Sequence, residues 1–138
     1  MTLDYTNLNW VAIVVAAVVT IVFGFIYYLP QVLGRRWAAA AGIDLAAQSQ
    51  VSPLAYATWI VQALVVAYVL DVLMKALGVS AIGDGLILAF IIWLGFMAVT
   101  ALDSVIYERR SWEYWLLGQA FRLISLMLMG GVIAYLGA

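Results

Sequence analysis

Asp103 and Arg122 have the strongest claim to chemistry in this 138-residue sequence. Each is an ionisable group inside a long apolar run, and a charge placed within a membrane span is a functional candidate by default. The chemistry open to such a pair is an ion or proton relay. The alternative is a structural ion pair fastening one helix to the next. Depth decides between them. Counting back about 20 residues from Gly137, the length needed to cross the hydrocarbon, puts the inner boundary near Gly118. Arg122 then lies roughly 6 Å inside, a distance an arginine covers by snorkelling. Asp103 falls at the end of the preceding span, in the same half of the same antiparallel hairpin. Neither reaches the bilayer centre, so the expected role is the structural pair.

The remaining polar residues are scattered. Gln62, Thr100, Gln119 and Ser125 sit uncharged within spans. They either line a pore or cross-link helices by hydrogen bonds of ~0.6 kcal/mol each, and helix packing is the expected use. Asp71 and Lys75, four apart, read as an intrahelical pair. Asp84 between Gly83 and Gly85 reads as a helix N-cap rather than a cation- or phosphate-binding loop. Ala12, Ala16, Thr20 and Gly24 recur every fourth residue, giving one helix face on which another backbone can approach closely. That face suits packing within the chain or self-association. Trp93, too deep for an aromatic belt, packs inside the bundle or meets a partner.

The sequence has no Cys and no His, which removes thiolate chemistry, His-ligated haem, Fe–S clusters and ordinary zinc sites. No catalytic residue, cofactor or metal ligand is therefore assigned, and an enzyme is not expected. A net charge of −1 gives no basic face with which to displace counterions from nucleic acid.

Hydrophobic residues make up 68% of the chain and charged residues 9%, too few to clothe a soluble domain, so lipid must cover the exterior. The apolar runs are continuous rather than alternating, which selects helices over a barrel. The expected fold is all-α: one transmembrane domain over residues 1–138, with four spans in an antiparallel bundle. The spans are placed at about 10–29, 53–74, 85–107 and 115–138. The segment before Trp10 carries Asp4 and no Lys or Arg, so the first span reads as a retained helix rather than a signal peptide. Residues 31–51, with Trp37 and two arginines, fit a helix lying in the interface.

Arg35, Arg36, Arg109 and Arg110 occupy the first and third loops, against Lys75 alone on the opposite side. The positive-inside rule puts the arginine loops in the cytoplasm and both termini outside it. A multi-pass protein of a bacterial inner (cytoplasmic) membrane is expected. Tyr27, Tyr28, Trp37, Tyr56 and Trp59 mark the inner boundary of the first hairpin. Tyr107, Trp112, Tyr114 and Trp115 mark that of the second.

Three stretches carry a resemblance to a known family. Asn9-Trp10 opens the first span, which closes on Gly24-Phe25-Ile26-Tyr27-Tyr28, followed by Gly34 and Trp37. Trp93-Leu94-Gly95-Phe96 forms the core of the third. Thr100, Ser104, Glu108, Arg109, Trp112 and Gly130 mark the last hairpin. Together these resemble the membrane family called domain of unknown function 1761, with Gln119 standing where an asparagine is expected. The resemblance implies a small four-helix membrane protein and transfers no catalytic residues. The expected function is a non-catalytic accessory or scaffold subunit, whose partners are the lipid bilayer and other membrane subunits or a second copy. The alternative is a small oligomeric channel or transporter.

Overall fold

The computed structural model describes residues 3, 4, 6, 8–42 and 53–137. Among them four helices are long and apolar enough to cross a membrane: Trp10–Tyr27, Pro53–Ala76, Ile82–Ile106 and Trp112–Gly137. No strand occurs among the described residues.

Helix α1 (Trp10–Tyr27) starts where the Asn9 side chain accepts a hydrogen bond from the Ala12 amide at 3.1 Å, satisfying one orphan donor of the first turn. It stops two residues earlier than expected, because Leu29, preceding Pro30, is held extended at ψ 140°. A π-helical turn, Pro30–Gly34, leads into the short helix α2, Arg35–Ala41. Gly34 is required there, since a Cβ would come within 2.2 Å of the Tyr28 carbonyl oxygen. Helix α2 ends at Gly42 with φ +73°. The rest of the interfacial segment expected over 31–51 lies outside the described residues.

Helix α3 (Pro53–Ala76) and the third span are joined by a tight turn through Gly78 at φ +70°. The third span begins as α4 (Ile82–Trp93), with Ala81 at the cap position. Asp84 therefore lies in the first turn, where it meets the positive end of the helix dipole rather than capping it. Beyond Trp93 the span is irregular: a π-helical turn at Leu94–Ala98, a 3-10 turn at Thr100–Leu102, then α5 at Asp103–Ile106. Thr100 contributes to this by donating its hydroxyl back to the Phe96 and Met97 carbonyls at 2.9 and 3.1 Å, a back-bond that bends helices. Helix α6 (Trp112–Gly137) begins three residues before the expected position, where Ser111 Oγ accepts from the Tyr114 amide at 3.0 Å.

Helix α6 is the centre of the bundle. It packs along α1 on one side and α4 on the other, and α1 packs along α3. The small-residue face of α1 is consumed within the chain: Ala12, Ala16, Thr20 and Gly24 are all buried. A Cβ on Gly24 would lie 2.2 Å from the Trp59 ring. A second close approach joins α4 to α6, where Gly85 and Gly130 face each other. A Cβ on either would come within 2.7 Å of the other's carbonyl oxygen. The core between these contacts contains Ile13, Ala67, Leu70, Met74, Leu126 and Ile133.

By contrast α3 and α4 have little contact. They meet beside their connecting turn, where Met74 lies against Gly85. On the side of the arginine loops two cavities adjoin α6, one lined by residues of α1 and α3 with Met97, the other by the third span from Thr100 onward with Tyr28 and Trp37.

Candidate functional site

Gln62, Thr100, Gln119 and Ser125, scattered in the sequence, all border these cavities. The deeper chamber, about 210 Å³, is lined by Thr20, Gln62 and Ser125 together with the apolar Val66, Met97 and Met129. The outer one, about 270 Å³, is lined by Thr100, Asp103, Glu108 and Gln119, with Trp37 and Tyr114 among its aromatic walls. Tyr28 and Arg122 line both, so the two spaces adjoin at those side chains and form one cleft.

Asp103 and Arg122 thus share a cavity, but the direct ion pair expected between them is not formed. The ion pairs between described residues join Arg36 to Glu113 and Lys75 to Asp71. The third span is irregular just before Asp103. Both side chains are exposed to the cleft instead.

Of the polar residues, Thr20 donates to the Ala17 carbonyl at 2.9 Å within its own helix, and Thr100 is satisfied by the Phe96 and Met97 carbonyls. Two oxygen atoms on the walls are different. Gln119 Oε1 and Ser125 Oγ are buried and, among the described residues, accept or donate no hydrogen bond. A buried polar atom left unpaired costs about 1–3 kcal/mol, so these atoms mark places where a polar group from outside the chain would be welcome. Tyr28 lies just past the end of the first spanning helix. Its phenol is pushed up to about 12, chiefly by burial and then by Tyr27, with the Arg122 charge pulling the other way.

Side-chain donors fasten the walls. Trp93 Nε1 donates to the Gln119 carbonyl and Trp115 Nε1 to the Ala98 carbonyl, each at 3.0 Å, while the Tyr27 hydroxyl donates to the Leu117 carbonyl. Trp93 therefore packs inside the bundle. Around the mouth, Tyr28 stacks edge-on against Trp37 at 5.3 Å and packs on Phe121 at 5.0 Å. Helix α2 is held over the start of α6 by Arg36 Nε to Glu113 at 3.1 Å, and by Arg110 donating to the Ala41 carbonyl at 2.9 Å.

At the opposite end of the bundle Asp71 is fully buried. Lys75 Nζ reaches one of its oxygens at 3.0 Å and the Gly137 carbonyl at 3.4 Å. The other oxygen, Oδ2, is unpaired. Asn9 Nδ2 donates to the Leu136 carbonyl at 3.1 Å nearby. The result is a polar clasp joining α1, α3 and α6. Sequence spacing indicated the Asp71–Lys75 pair, but not its burial, which depends on how α1 and α6 close over it.

Four apolar helices and an interior of small and aliphatic residues define a polytopic α-helical membrane protein. The chain belongs to the family described as protein of unknown function (DUF1761), whose profile matches residues 11–134. No curated protein and no solved structure matches it.

Proposed function

We propose that this protein is a non-catalytic accessory or scaffold subunit, acting through helix–helix association with a larger membrane complex or with a second copy. The observation that carries this reading is the third span. Only 17% of its most apolar stretch is buried, against 39% for the first, because α4 packs along α6 and has little contact with α3. Its outer face presents Ile87, Phe90, Ile91 and Leu94. Association requires close packing and occasional hydrogen bonds, which such a face provides, whereas catalysis requires positioned proton donors and acceptors. The absence of His and Cys from the sequence supports the same reading.

A photo-cross-linking residue at Ile91, in native membranes, should join the chain to another membrane protein or to itself. Purified protein in liposomes should pass no ions. A second reading, an oligomeric channel or transporter, is favoured by the convergence of Gln62, Thr100, Gln119 and Ser125 on one cleft. Selective flux lost on Gln62→Ala, with no cross-linked partner, would replace the first reading by this one.

The orientation proposed is both termini outside the cytoplasm of a bacterial inner membrane, on the four arginines in the first and third loops. A reporter fused after Ala138 should be active outside the cytoplasm, and one inserted near Gln48 inside it. The reverse pattern would overturn the orientation.

A further inference from the structure

We propose that the cleft along α6, walled by α3 in its deeper chamber and by the third span from Thr100 onward in its outer one, binds one zwitterionic phospholipid, its phosphate on Arg122 and its ammonium end among Asp103, Glu108 and Gln119. This is independent of the scaffold reading.

Arg122 is the starting point. It lies ten positions into a helix of 26 residues, exposed to the cleft, and makes no ion pair with any described residue. A guanidinium carries five N–H donors and cannot give up its charge. At the boundary of the hydrocarbon an uncompensated cation is costly, and the anion available at that depth is a lipid phosphate, which an arginine grips with two parallel hydrogen bonds.

The rest of the pocket selects the kind of lipid. Asp103 and Glu108 border the outer cavity and, among the described residues, pair with no cation. One cation and two carboxylates would repel a lipid with net negative charge. A headgroup carrying both a phosphate and a cationic nitrogen meets a charge of opposite sign at each end. Tyr28, Trp37, Tyr114 and Trp115 stand around the same space and offer ring faces to a cationic group. Gln119 Oε1, buried and unpaired at the wall, is a further acceptor for an N–H.

The deeper chamber suits the hydrocarbon attached to that headgroup. Val66, Met97, Leu126 and Met129 line it, giving an apolar channel for the upper part of an acyl chain. Gln62 and Arg122 are exposed on its walls, so the chamber is open to a lipid.

The test is retention of lipid by the purified full chain in mild detergent, read by native mass spectrometry. Phosphatidylethanolamine, phosphatidylcholine and phosphatidylglycerol are supplied in equal amounts. Both zwitterionic lipids should be retained ~10-fold over phosphatidylglycerol, the ratio expected from one charge-assisted contact. Arg122→Gln should lower retention of the zwitterionic lipids by a similar ~10-fold, and Arg35→Gln, away from the cleft, should not. The double substitution Asp103→Asn with Glu108→Gln should abolish the preference over phosphatidylglycerol. Should Arg122→Gln fail to fold, Ser125→Leu, which fills the chamber, should reduce retention of all three lipids. Equal retention of the three lipids by the wild-type chain would overturn the proposal. So would displacement of the lipid by millimolar inorganic phosphate, which would make the site one for free anions.

Discussion

Gly130→Ala should loosen the bundle measurably, while Gly131→Ala, one residue along, should leave it unchanged or firmer. A Cβ at position 130 would lie 2.6 Å from the Gly85 carbonyl oxygen, a backbone atom that moves only if the whole of α4 moves. At 131 the nearest atom is Leu86 Cδ2 at 3.6 Å, an ordinary contact. Alanine is the better helix former by ~1 kcal/mol, so propensity favours both substitutions equally and only sterics separates them. Overpacking of a close contact costs about 1–3 kcal/mol, enough to reverse the gain at 130. Unfolding in detergent, followed by loss of helical signal, reads the difference. Equal melting temperatures for the two variants would mean that α4 and α6 do not cross at this glycine pair.

Lys75→Met should be the more damaging of the substitutions in the polar clasp, which lies at the same end of the bundle as the glycine pair. It leaves the fully buried Asp71 without the cation now 3.0 Å away, and releases the hold on the Gly137 carbonyl. Breaking one side of a buried pair costs about 3–5 kcal/mol. Lys75 keeps 32% of its side chain exposed, so the loss should fall toward the lower end of that range. Adding Asp71→Leu to Lys75→Met should restore most of the stability, because a buried pair replaced by apolar groups is often nearly neutral. The double-mutant cycle measures this coupling directly. A double variant as unstable as Lys75→Met alone would show that the clasp does not work as a pair.

The sequence was most legible where one physical requirement dominates. Crossing hydrocarbon demands an uninterrupted apolar helix, so all four spans were placed within a few residues. The ends that moved were decided by local chemistry: the extended residue before Pro30, Ser111 capping α6, Ala81 rather than Asp84 at the cap of α4. The spacing of Ala12, Ala16, Thr20 and Gly24 marks a face of small residues, and the structure buries all four within the chain. Gly85 and Gly130 were harder, because each is a single glycine and the contact exists only between them. The third span misled in one respect. Nothing in Leu94–Leu102 announces a change of helical pitch, since it arises from Thr100 bonding backward and from Trp115 drawing on the Ala98 carbonyl. Asp103, which follows it, does not form the expected pair with Arg122. The polar span residues were found individually, but their convergence on one cleft depends on how α3 and the end of the third span are arranged about α6, which no local pattern records.

The central position of α6 also has a consequence for biogenesis. Of the four spans it is the last to leave the ribosome, yet it supplies the main neighbour of the third and bonds to the chain's opening residues, as in Asn9 to Leu136, 127 positions apart. Until it inserts, α1 and α3 can pair, while α4 waits in the bilayer with only the end of α3 beside it. Tertiary structure therefore consolidates after synthesis of the fourth span rather than helix by helix. A chain truncated before Trp112 and released should insert its third span without its main neighbour, leaving it open to capture by other membrane proteins or by the quality-control machinery.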